Sequence, residues 1–358
     1  MNIGLVDADL LGRKKRRFPN LVCMKLSSYH KKLGDQVELL ASYDDIENYD
    51  KVYISKVFTD TPIPDKVLNL SWVEYGGTGF YFDKAPNLPD EIEHTLPDYH
   101  LYDDFVNSLI EAGAKKNEFK EYTDYSIGFL TRGCFRKCGF CVNQKYDRVF
   151  KHSPLSEFYD PERKKICLLD DNFLGCPNWR ELLQELIDTG KPFKFKQGLD
   201  ERLLTDEKCE ILFNAKYDGD ITFAFDKIED YRMIEKKLNL IRKHTNKQCM
   251  FYVLCGWEST DLQDIINTFE RIKLLMEYRA LPYIMRYKGK DNTPYLSSEF
   301  RGMYITLARW CNQPSFFKKK SFYEYCEVGG KSSMRYATEF MEKYPDVADK
   351  YFYMKWSN

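Results

Sequence analysis

Three cysteines, Cys134, Cys138 and Cys141, stand at C-x3-C-x2-C spacing in Gly128-Phe-Leu-Thr-Arg-Gly-Cys-Phe-Arg-Lys-Cys-Gly-Phe-Cys-Val-Asn-Gln144. Thiolates so spaced can wrap one corner of a [4Fe–4S] cubane, each binding a separate iron. The fourth iron then lacks a protein ligand, as a catalytic zinc keeps one position free for substrate. Gly133 and Gly139 relieve backbone crowding where the loop bends. Zinc fits the same residues less well. A structural zinc takes four ligands, usually in C-x2-C pairs, and no further Cys or His follows until His152.

The elements around the loop read as alternating strands and helices. From about residue 125, strands are expected at 127–130, 166–169, 193–196, 221–225, 251–254 and 283–286, with helices such as 179–187 and 262–275 between them. Six strands so connected suggest a partial (β/α)6 barrel, whose site lies over the C-terminal strand ends. Polar residues cluster at those ends. Asp170-Asp171-Asn172 closes the second strand, Gln197 and Arg202 follow the third, Asp226 closes the fourth, and Cys255 and Glu258 end the fifth. Arg286 sits at the sixth, its role open.

The cysteine loop closely resembles the signature of the radical S-adenosylmethionine (radical SAM) superfamily over about residues 125–290. The resemblance implies that SAM's methionine portion chelates the open iron. One electron then cleaves the sulfonium to give a 5′-deoxyadenosyl radical. A flavodoxin- or ferredoxin-type protein is the reductant so implied. Phe140, just before the third cysteine, would lie against the adenine. The family often carries Gly-Gly-Glu after the second strand. This chain departs from that and resembles the Asp-Asp-Asn-Phe version of cobalamin-type and methylthiotransferase-type members, which makes Asp171 and Asn172 candidates for contacting SAM. A helix N-cap is their other reading. Gln197, Arg202, Asp226 and Glu258 are further candidates for SAM, with a surface ion pair an equal reading for Arg202. Cys176 and Cys255 follow the second and fifth strands, where a thiol could return a hydrogen atom to the product. Each also reads as a small buried apolar residue.

Residues 1–120 read as a Rossmann-like parallel sheet: strands at 3–6, 37–40, 52–57 and 70–75, and a helix from Leu21 that ends at Gly34. This resembles the cobalamin-binding domain of one large branch of the superfamily. The Asp-x-His-x-x-Gly motif that supplies a histidine ligand is absent, and Asp7-Ala-Asp-Leu-Leu-Gly12 stands after the first strand instead. Bound cobalamin therefore stays open. So does the alternative of a cobalamin-dependent methyltransferase. Only Cys23 precedes the loop, which argues against a methylthiotransferase with its further cysteine trio. The run Arg13 to Arg17 reads either as a solvated charge cluster or as a hold on a phosphate-bearing substrate.

Lys and Arg total 54 against 55 Asp and Glu, which excludes a domain-wide basic footprint. No uncharged apolar stretch approaches a membrane span of roughly 18–20 residues, and the basic cluster follows the first apolar run rather than preceding it. A cytoplasmic chain without a membrane partner is expected. Its 11 cysteines then point to metal or catalysis more than to disulfides. The expected division is 1–120, a barrel over 121–294, and an aromatic, partly helical extension over 295–358. The reading is an enzyme whose radical abstracts hydrogen from an unidentified substrate. A non-catalytic protein stapled by metal is the rival from another class.

Overall fold

Strand β1 (Asn2–Asp7) is buried at every position after the first, the pattern of a parallel strand covered on both faces. It pairs in parallel with β2 (Gln36–Leu39) and β3 (Lys51–Ser55), and β4 (Val73–Gly76) extends the sheet beyond β3. The order β2-β1-β3-β4 needs a crossover between β1 and β2. The helix Leu21–Lys32 supplies it, started by Asn20, whose Oδ1 accepts from the Val22 and Cys23 amides. The computed structural model describes residues 1–13, 18–289 and 292–356. The chain divides into two units, Met1–Lys196 and Gln197–Asn358.

The first unit holds a second parallel sheet, β5 (Tyr125–Gly128), β8 (Lys165–Leu168) and β9 (Phe193–Phe195), in the order β5-β8-β9. Between β5 and β8 lies a short antiparallel pair, β6 (Thr131–Arg132) and β7 (Phe150–Lys151). The helix Trp179–Asp188 connects β8 to β9 and buries Leu182, Leu183 and Leu186.

The second unit repeats the alternation. Strands β10 (Ile221–Ala224), β11 (Cys249–Cys255) and β12 (Ala280–Arg286) pair in parallel in that order, with helices Tyr231–His244 and Leu262–Glu277 as the crossovers. All six strands expected from residue 125 onward are present, three in each unit. The fold is mixed α/β with parallel sheets. Among the described residues, no helix is long and apolar enough to cross a membrane.

The chain after residue 295 is helical and packs within the second unit. Phe269 on the Leu262–Glu277 helix meets Phe322 edge-on at 5.4 Å and stacks on Tyr351 at 5.3 Å. Asn312 serves the backbone of β12: its Oδ1 accepts from the Ile284 amide at 2.7 Å and its Nδ2 donates to the Ile284 carbonyl at 3.1 Å. These bonds occupy ladder groups that a strand edge would otherwise leave open. Phe269→Ala is expected to cost about 3–5 kcal/mol, measured as a drop in urea midpoint. A loss below about 1 kcal/mol would show that the tail does not close the core of this unit.

Candidate metal centre

The cysteine segment is an excursion tied off at its base. It departs from β5, and the β6–β7 pair joins Thr131 to Lys151 and Arg132 to Phe150. The His152 amide adds a bond to the Leu130 carbonyl at 2.8 Å. Gly133 turns the chain at φ 89°, and a Cβ there would stand 2.1 Å from the Arg148 carbonyl oxygen. Only glycine fits that conformation and that space. Farther out, the Cys141 amide donates to the Cys138 carbonyl at 2.9 Å. The Gln144 carboxamide donates to the carbonyls of Cys138 and Cys141 at 2.5 and 3.0 Å. Gln144 thus holds the turn between the second and third cysteines, and Phe140 sits half-buried within it.

None of the three thiols is in a disulfide, and all three are half-exposed. Donors already point at two of them. The Arg136 amide and the Asn172 Nδ2 each lie 3.4 Å from Cys134 Sγ, and the Asn143 amide lies 3.4 Å from Cys141 Sγ. Burial pushes the Cys141 thiol up, the Asn143 donor pulls it back, and the charges of Cys138 and Cys134 push it up again.

Among the described residues, no group of three or more His, Cys, Asp or Glu side chains is gathered closely enough to bind one metal ion. A cubane asks for something different. Its thiolates bind separate irons and stand farther apart than ligands of a single ion. The three cysteines lie half-exposed on one closed loop, and N–H donors point at the sulfurs of Cys134 and Cys141, an environment that suits thiolate ligands.

The end of β8 reaches under the excursion. Asp170 is buried and accepts from the Leu130 amide at 3.2 Å, and from the Thr131 amide and hydroxyl at 2.6 Å each. Burial pushes its carboxyl up to about 7, against the pull of those donors. Asp171 accepts from the Gly133 amide at 2.9 Å and from Asn143 Nδ2 at 2.7 Å. Burial raises it too, while the Gly133 amide and Arg132 pull it back. Asn172 makes no side-chain cap for the short turn Phe173–Gly175 that follows. Cys176 comes next, 1% exposed, with its thiol pushed up by burial.

The candidates of the second unit are placed as follows. Gln197 is exposed. Arg202 pairs with Asp200 at 2.7 Å and lies 3.9 Å from Asp230. Glu258 pairs with Lys227 at 2.9 Å, with both side chains largely in solvent. Asp226 accepts from the Leu254 amide at 3.3 Å, and burial pushes it up to about 6. Cys255 is 1% exposed, and burial pushes its thiol up to about 12. Arg286 lies over the Tyr295 ring at 5.0 Å. Of the basic run, Arg13 pairs with Asp60 at 2.7 Å and covers the Phe58 ring at 4.2 Å. Residues 14–17 lie outside the described residues.

Arg271 and Glu201 are buried titratable groups that carry no mark in the sequence reading. Arg271 donates through Nη1 to the carbonyls of Phe225, Asp226 and Leu254, at 3.1, 2.6 and 2.8 Å. It thereby ties the C-terminal ends of β10 and β11 together. Its signal is an arginine on an otherwise apolar helix face, between Phe269 and Ile272. Glu201, 2% exposed, accepts from the Ala224 amide at 3.2 Å. Burial and the neighbouring Asp200 push it up to about 8. Nothing in Leu-Asp-Glu-Arg-Leu distinguishes it from a surface acid.

No family model matches the chain, and no curated protein matches it. Among solved structures, it is similar to OxsB, a cobalamin-dependent S-adenosylmethionine radical enzyme with aqua-cobalamin and S-adenosylmethionine bound. The identity is 14% and the TM-score 0.34. The match covers 98% of this chain and 56% of that one, so this chain spans little more than half of that enzyme's length.

Glu201 gives a pH test. Its folded pKa of about 8 lies above its ordinary value of 4.5, so the native chain binds more protons between these values. Stability tied to this group is full below pH 4.5 and is lost as pH rises through 8. Glu201→Gln keeps an acceptor for Ala224 and is expected to flatten that loss. From pH 5 to pH 9 it should lose at least about 1.4 kcal/mol less stability than wild type, the equivalent of one pKa unit. Parallel stability profiles from pH 5 to 9 would show that Glu201 is not held neutral.

Proposed function

We propose that this chain is a radical SAM enzyme. One observation carries the reading: three cysteines outside any disulfide, at C-x3-C-x2-C spacing, lie on one tied-off excursion, with N–H donors aimed at the sulfurs of Cys134 and Cys141. Cys134, Cys138 and Cys141 would hold a [4Fe–4S] cluster and leave one iron open to SAM. When bound and reduced, the cluster supplies one electron that splits the sulfonium into methionine and a 5′-deoxyadenosyl radical, which takes hydrogen from the substrate.

The chain's own residues do the rest. Gln144 fixes the Cys138–Cys141 turn, and with it the place of Phe140, offered to the adenine. Gly133 allows the sharp entry that brings Cys134 over the end of β8. The half-exposed thiols leave the loop accessible to SAM and to an external one-electron reductant of the flavodoxin or ferredoxin type. The reading includes a Rossmann-like domain over 1–120, a partial (β/α)6 barrel over 121–294 and an extension over 295–358.

Anaerobic reconstitution with iron and sulfide tests it. The wild-type chain is expected to take up four irons and, once reduced, to convert SAM to methionine and 5′-deoxyadenosine. Cys134→Ala, Cys138→Ala and Cys141→Ala are each expected to lose the cluster's absorption and this cleavage while keeping the circular dichroism of wild type. Full SAM cleavage by Cys138→Ala would sink the assignment.

A further inference from the structure

Asp170-Asp171-Asn172 reads in sequence as a contact to SAM or as a helix cap. In the structure all three side chains turn toward the cysteine excursion. Both oxygens of Asp170 accept from Leu130 and Thr131. Both oxygens of Asp171 accept from Gly133 and Asn143. Asn172 Nδ2 points at Cys134 Sγ, 38 residues earlier in the chain, at 3.4 Å. The three residues thus engage the base, the turn and the first thiol of the excursion in order. Asn172 is 3% exposed, so little water competes for its donor.

We infer that Asn172 is a positioning residue that sets the reduction potential of the cluster through Cys134, while Asp170 and Asp171 hold the loop that presents this thiol. The inference rests on the proposed cluster. Its physical basis is charge. Reduction adds an electron whose charge spreads onto the thiolate sulfurs, and an N–H donor at sulfur stabilises that added charge. The Arg136 amide already serves Cys134 from within the loop. Asn172 adds a second donor from another element, one that substitution can remove without touching the loop backbone. The potential of the free cluster is therefore expected to sit higher with Asn172 than without its donor.

The test is a redox titration of the anaerobically reconstituted full chain, followed by electron paramagnetic resonance with no SAM present. Asn172→Leu removes the donor and keeps the branched shape, and Asn172→Asp replaces it with a carboxylate beside the sulfur at similar volume. Both variants are expected to bind as much iron as wild type and to titrate at more negative potentials, the aspartate variant lowest. A residue that only contacts SAM would leave these potentials unchanged. An unchanged potential in either iron-loaded variant overturns the inference. So does failure of both to load iron while their circular dichroism matches wild type, because Asn172 would then serve assembly rather than potential. Absence of iron from the wild-type chain would overturn the cluster reading itself, and this inference with it.

Discussion

A loop that leaves a sheet takes its polar backbone along, and every buried amide in it must find a partner. The Asp170 carboxylate meets that demand for the cysteine excursion. Its two oxygens take the Leu130 and Thr131 amides at the point where the chain departs from β5. A buried amide left unpaired costs about 1–3 kcal/mol, so these bonds decide whether the excursion begins in one place or several. Everything farther along inherits that start: the β6–β7 closure, the glycine turn at 133, and the direction in which Cys134 leaves it.

The carboxylate bears a cost of its own. Burial raises Asp170 to about 7 even against its donors, which means the site spends interaction energy on a group that prefers water. The same trade recurs in the second unit. Arg271 is wholly buried and donates to carbonyls at the ends of two strands, and Glu201 is buried against the amide of Ala224. In both units, a charged or titratable side chain satisfies backbone groups at C-terminal strand ends. These are the positions where parallel α/β sheets carry their ligands, and where loops need rigid anchors without regular structure to provide them.

The candidate centre combines a rigid base with accessible sulfur. Cys134, Cys138 and Cys141 are half-exposed, while Cys176 and Cys255 are buried. Burial raises the Cys176 and Cys255 thiols, as it does that of Cys141, so exposure rather than the direction of the shift distinguishes the two sets. The chain thus separates its cysteines into two environments. One set is half-exposed, with hydrogen bonds at the sulfurs of Cys134 and Cys141; the other is packed as small apolar side chains.

What the sequence determined by itself is local. Three cysteines within one short segment are held near each other by covalent spacing, so the chemistry they suggest can be proposed without knowing the fold. Six strands from residue 125 onward were legible because buried parallel strands are continuous apolar runs bounded by turns; their ends moved by up to three residues, and the last two are longer than expected. The partners of the polar residues between them had no such signature. Asp171 and Asn172 look alike as SAM contacts and as helix caps, and Arg202 looks alike as a carboxylate grip and as an ion pair. The pairing of Arg202 with Asp200, of Glu258 with Lys227, and of Asn172 with Cys134 was decided only by the tertiary structure. A side chain's hydrogen-bond partner depends on which elements lie beside it. For residues 38 positions apart, neither periodicity nor propensity carries that information.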